Sequence, residues 1–274
     1  MIFFKTLKYD IKNGITKEYK KYIFAVIFFL SAAVIFRLSR IGETDITLGD
    51  YILFTHLGMP EYIRHYANRF QFPIIWICFH MLAFFIVLYY PYNDIDSFGR
   101  YILINTRSRR VWYLSKCCWV IISILLYFAL HLLSQLLICH IFMDSVSFDL
   151  SGEEAFRSIY QNTSENLNVI THIPVQLYIM PAAVCMTIGL FQMTLSLFIK
   201  PFYSYVVSAA ILILSANYVS PLMIGNYAMV QRSELFLKNG VSAVHGICIC
   251  ITLSLISVIS GIINFSRYDI LNRG

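Results

Sequence analysis

Residues Trp119–Phe142 read WVIISILLYFALHLLSQLLICHIF, a run without a single Asp, Glu, Lys or Arg. It exceeds the roughly 20 apolar residues that cross a hydrocarbon core of about 30 Å. Lipid offers the backbone no hydrogen-bond partner, so such a run is read as a helix. Five more runs share its character: Lys21–Phe36, Phe72–Tyr90, Leu177–Ile199, Tyr203–Ile224 and Val241–Phe265. The first spans only if it extends to Leu38, with Lys20, Lys21 and Arg37 snorkelling at its ends. Composition agrees: of 274 residues 58% are apolar and 13% charged, with mean hydropathy +0.68. A soluble domain carries about 45–50% apolar and about 25% charged residues. A free-standing soluble domain is thereby excluded, and scarce Pro (7) and Gly (12) exclude a collagen-like or disordered chain. The expected fold is an all-α polytopic membrane protein. Six transmembrane helices occupy 21–265, between an N-terminal segment 1–20 and a cytoplasmic tail 266–274.

Charge orients this arrangement. With both termini in the cytoplasm, the inner side holds 14 basic and 5 acidic residues and the outer side 7 and 10. That asymmetry satisfies the positive-inside rule, and the reverse topology would break it. The net charge of +6 is thus an orientation signal. No basic stripe interleaved with aromatics points to nucleic acid.

All seven cysteines lie in or beside the runs, so no disulfide framework is expected. A cleaved leader is not expected either, because Ser31, Ala32 and Ala33 sit inside the first run rather than after it. The outer sequon Asn162-Thr163-Ser164 reads as a chance match.

Within 1–20, Phe3, Leu7, Ile11 and Ile15 recur every four positions while Lys5, Lys8 and Lys12 fall on another face. That pattern makes an amphipathic elbow helix lying in the headgroup layer, lysines toward anionic lipid. The alternative is a basic tail that only sets topology. Two outer loops, 37–71 and 143–175, and an inner loop, 91–116, join the early runs. In the inner loop Asp96 or Ser97 can cap one short helix, and Thr106 or Ser108 a second that leads through Trp112 and Tyr113 into the third span. The two aromatics suit an interfacial belt. Farther on, 220–237 is apolar but broken by Pro221 and Gly225, which suggests an outer re-entrant element or a kinked longer span.

Chemistry is sparse. Every Asp and Glu falls outside the six runs, so no buried carboxylate is expected to serve an ion relay. His80, His131, Gln135, Gln192 and Asn217 are candidate substrate-path residues, although interhelical hydrogen bonding is the default role of such groups. No metal-ligand spacing is present, and P-loop, zinc-protease and nucleophile-elbow motifs are all missing. A membrane path without an energy source of its own, joined to a basic inner loop, suggests a transport subunit driven by a separate motor.

The block Arg100–Lys116, RYILINTRSRRVWYLSK, resembles the inner loop of six-span ABC type-2 permeases from low-GC Gram-positive bacteria, with its aromatic–aliphatic run, Thr-x-Ser-Arg core and Trp–aromatic pair. The resemblance implies a permease subunit of an exporter or immunity system in the bacterial plasma membrane. Arg100, Tyr101, Leu103, Thr106, Arg107, Ser108, Arg109, Arg110 and Trp112 would form the ATPase-coupling helix. Residues 1–20 would be the elbow and 220–237 the outer element. The implied partners are a P-loop ATPase, which would hold ATP and Mg, and a second like or unlike permease. The cargo would be a peptide, antibiotic or lipid-like molecule. No catalysis and no cofactor are expected in this chain. The rivals are a non-transporting immunity or sensor protein, and a substrate-capture subunit of an energy-coupling importer.

Overall fold

The computed structural model describes residues 2–42, 45–59, 72–95, 108–150, 176–234 and 240–267. Among them the architecture is all-helical, without named strands. The helices are α1 (Ile2–Lys17), α2 (Tyr19–Leu38), α3 (Leu48–His56), α4 (Ile74–Val87), α5 (Tyr90–Ile95), α6 (Arg109–Ile141), α7 (Gln176–Ser196), α8 (Pro201–Asn217) and α9 (Ala243–Arg267). Two 3-10 turns, Ile224–Ala228 and Val230–Arg232, separate the last two.

Five stretches are long and apolar enough to cross a membrane: Tyr19–Leu38, Ile74–Ile95, Arg109–Ile141, Tyr178–Ser196 and Ala243–Ser266. They make the chain an integral membrane protein by length and composition. The apolar run expected to stay helical from Tyr203 to Ile224 instead leaves the helix at Tyr218. At 17 residues α8 rises only about 25 Å. Pro221 follows within a turn, and the chain turns back into the 3-10 segment rather than continuing the helix.

The hub is α6. Its 33 residues reach about 50 Å, well past a hydrocarbon core. Ser108 is its N-cap, accepting a hydrogen bond from Val111 N at 3.4 Å. Packed along it are α1, α2, α3, α7 and α9. Its buried side chains Trp112, Tyr113, Trp119, Val120, Ile124 and Tyr127 anchor the main core. Expected at an interfacial belt, Trp112 and Tyr113 are both fully buried: Trp112 stacks on Phe265 and Tyr113 OH bonds Thr194 Oγ1 at 2.7 Å. The reason is that α9 runs down beside the start of α6, so close that a Cβ on Gly261 would strike the Tyr113 ring.

The segment 37–71, expected as a loop, contains α3, eight of whose nine residues are buried. Thr47 and Asp50 form its capping box. The free N–H groups of its first turn, Leu48 and Gly49, donate to the Ser145 and Ser147 carbonyls at 3.0 Å each. This satisfied terminus lets α3 sink between α2, α4 and α6 and close one end of the bundle.

Candidate functional site

At the opposite end lies a buried ion cluster. Lys116 Nζ sits 2.5 Å from Asp10 Oδ1 and 2.6 Å from Asp94 Oδ2, and all three side chains are essentially shut off from solvent. Asp10 is supplied by α1, Asp94 by α5 and Lys116 by the second turn of α6. Asp10 also accepts from Ser115 Oγ at 2.5 Å and Tyr90 OH at 3.1 Å, and Asp94 from Trp112 Nε1 at 3.2 Å. The ammonium rests over the rings of Tyr90 and Trp112, 4.5 and 5.0 Å from their centroids. Burial raises the Asp10 carboxyl above its ordinary pKa, against the opposing pull of Lys116 and Ser115.

The cluster overturns the expectation that no carboxylate is enclosed. Asp10 lies on the small, polar face of α1, with Thr6 and Gly14 one turn to either side, and that face packs against α6. Gly14 permits the approach: a Cβ there would fall 2.7 Å from Trp119 Cε2. The expected elbow residues lie on the remaining surface. Lys5, Lys8 and Lys12 are exposed, while Phe3, Leu7 and Ile11 are half-buried.

Of the coupling residues, Arg100, Tyr101, Leu103, Thr106 and Arg107 lie outside the described residues. Arg110 is exposed, Arg109 Nη1 donates to Ser266 O at 3.0 Å, and Trp112 faces the interior. The two stems of the segment 96–107 therefore meet at one place, since Asp94 ends the incoming stem while Trp112 and Lys116 begin the outgoing one.

Near α3 the structure gathers His80 and His131 around His56, which sequence reasoning missed. The His56 ring centroid is 5.3 Å from that of His131 and 6.5 Å from that of His80, and it stacks on Phe128. His131 Nε2 meets Thr55 Oγ1 at 3.1 Å, and His80 Nδ1 meets Trp76 O at 2.8 Å. Burial, followed by the neighbouring His131 and His80, pushes the His56 pKa well below its ordinary value, so the imidazole is neutral. Among the described residues no group of His, Cys, Asp and Glu is placed to hold a metal ion. Gln135 is buried on α6, Gln192 Nε2 donates to Phe84 O at 2.9 Å, and Asn217 is exposed, bonded to Ile213 O. These three do not converge on the histidines within hydrogen-bond distance among the described residues.

A second buried cation also escaped the sequence reading. Arg232 donates through Nε to Met59 O at 3.1 Å, through Nη1 to Ser215 O and Asn226 Oδ1, and through Nη2 to Ala216 O at 2.6 Å. It thereby takes the carbonyls left open where α8 ends and clamps the 3-10 segment over them.

Comparison with curated proteins finds no match, and neither does comparison with solved structures. One protein family does match, over residues 23–271, from the second turn of α2 past the end of α9. The chain belongs to that family, described as "Protein of unknown function (DUF2705)".

Proposed function

We propose that this chain is the permease subunit of an ATP-driven ABC exporter in a bacterial plasma membrane, with its energy supplied by a separate P-loop ATPase. The observation that carries the reading is the Asp10–Lys116–Asp94 cluster. It ties α1 and both stems of the segment 96–107 into one body. A push on that segment from outside the membrane is then passed to the long helix α6 rather than lost in a loose loop. Arg109, bonded to the end of α9, extends the same body to the last helix.

In this reading α8 and the Arg232-clamped segment together complete a sixth crossing. Both chain ends face the cytosol, and two permeases, like or unlike, enclose the path. Faces rich in Phe, Leu and Met suit an amphipathic cargo such as a peptide, an antibiotic or a lipid-like molecule. ATP and Mg belong to the partner, and this chain catalyses nothing.

The test is affinity purification of the tagged chain from its native membranes, with partners identified by mass spectrometry. A P-loop ATPase is expected with the wild type. It is lost from the Arg107→Glu, Arg109→Glu, Arg110→Glu triple variant, which still inserts. A chain that purifies without any ATPase supports the immunity or sensor reading instead. Equal ATPase recovery with the triple variant removes the arginines from the contact.

A further inference from the structure

The outward side of α1 has no role in the ion cluster, yet its composition is unusual for a surface. Phe4 is 73% exposed and Ile2 53%, beside the exposed Lys5, Lys8 and Lys12. Two rows of side chains, Phe4–Lys8–Lys12 and Leu7–Ile11, run one beside the other at helical i, i+4 spacing. Between them lies a shallow groove lined by these five residues, its walls almost entirely carbon because the lysine stems contribute methylenes. Lys8 and Lys12, both exposed, line it one turn apart.

We propose that this groove binds one anionic phospholipid, its acyl chain along Leu7 and Ile11 and its phosphate between Lys8 and Lys12. Charge complementarity selects the occupant. An apolar floor bordered by two exposed cations, neither ion-paired among the described residues, matches a chain joined to a phosphate, whereas a zwitterionic headgroup would bring its own cation against the lysines. Asp10, fixed at the cluster on the opposite side of α1, holds the groove in one place. The expected association is therefore a retained lipid, beyond the diffuse attraction of a basic tail. The inference rests on α1 meeting the membrane surface, and it does not depend on the transport reading.

The full-length protein, reconstituted in equimolar phosphatidylglycerol and phosphatidylcholine vesicles and re-extracted, is analysed by native mass spectrometry. Wild type retains phosphatidylglycerol in preference to phosphatidylcholine. Lys8→Gln with Lys12→Gln reduces that preference by roughly tenfold or more, at about a tenfold affinity change per 1.4 kcal/mol. Lys200→Gln, an exposed lysine elsewhere, leaves it unchanged. Leu7→Ser with Ile11→Ser also lowers retention, though both charges remain. Preference that survives the double lysine variant, or retention that is undiminished in the Leu7, Ile11 variant, overturns the site. So does a double lysine variant that loses a bound ATPase while keeping its lipid, since the face would then be a protein contact. ATPase recovery is read in the same preparation, so loss of lipid retention alone leaves the permease reading standing.

Discussion

Lys116 Nζ stands 2.6 Å from Asp94 Oδ2, so the two stems of the 96–107 segment are ion-paired to each other inside the protein. Asp10 shares the same ammonium from a helix far earlier in the chain. Three elements that a hydropathy reading treats as a tail, a loop and a span thus meet at one buried ion cluster. Breaking a buried ion set by removing one partner leaves the others charged and uncompensated.

Lys116→Met is expected to destabilise the protein by about 3–5 kcal/mol, because two buried carboxylates lose their cation. Adding Asp10→Asn and Asp94→Asn to it is expected to recover much of that loss, since the remaining groups are neutral and can hydrogen-bond. Thermal unfolding of the purified variants in one detergent checks this. A triple variant less stable than Lys116→Met alone would show that the cluster does not act as a unit.

The pH response of α1 docking is expected to run opposite to that of a simple salt bridge. Because the Asp10 carboxyl is raised, chiefly by burial, docked α1 binds its proton more readily than released α1 does. The Asp10 contribution to docking is therefore largest below the ordinary carboxylate pKa. It declines as pH rises through the raised value and is flat above it. Hydrogen exchange of α1 amides, corrected for intrinsic rates and compared with Asp10→Asn, reads this. Docking that weakens on acidification in wild type, but not in Asp10→Asn, would reverse the sign.

Gly14→Ala tests the contact from the other side. On an isolated helix the change favours stability by about 1 kcal/mol. Here the added carbon meets Trp119, and overpacking of this kind costs about 1–3 kcal/mol. A net loss of α1 protection in hydrogen exchange is expected. A gain would mean that α1 is not seated on Trp119.

The long apolar runs were legible because burial in lipid demands helix and lets few charges in, so α2, α4, α6, α7 and α9 stand close to where hydropathy puts them. The ion cluster was not legible. Counting by runs places Asp10 and Asp94 outside the runs and Lys116 among the inner-side charges, whereas tertiary packing encloses all three. A signal did exist in Thr6, Asp10 and Gly14, spaced by four as a small polar stripe on a helix whose apolar stripe drew the attention. The helix α3 had its own signal in the Thr47–Asp50 capping box ahead of Tyr51-Ile52-Leu53. Arg232 had none, because nothing local distinguishes a clamped arginine from a loop charge.

Arg232→Met is expected to release the segment 218–234 and to cost about 1–3 kcal/mol for each buried acceptor left without a donor. Arg232→Lys recovers only part of this, because a point ammonium cannot fork among Ser215, Ala216 and Asn226 as a guanidinium does. Proteolysis of reconstituted protein at that segment gives the order wild type, Lys, Met in increasing susceptibility. Equal susceptibility of all three would remove Arg232 from its clamping role.

The claim on which the functional account depends is that the chain does no uphill work unaided. Its most direct test places the purified chain in sealed vesicles, alone and together with its co-purified P-loop ATPase, and follows a fluorescent amphipathic peptide. Accumulation against a gradient is expected only when ATPase and ATP are both present, and not with Lys116→Met. Uphill movement by the chain alone, without any nucleotide, would contradict the account.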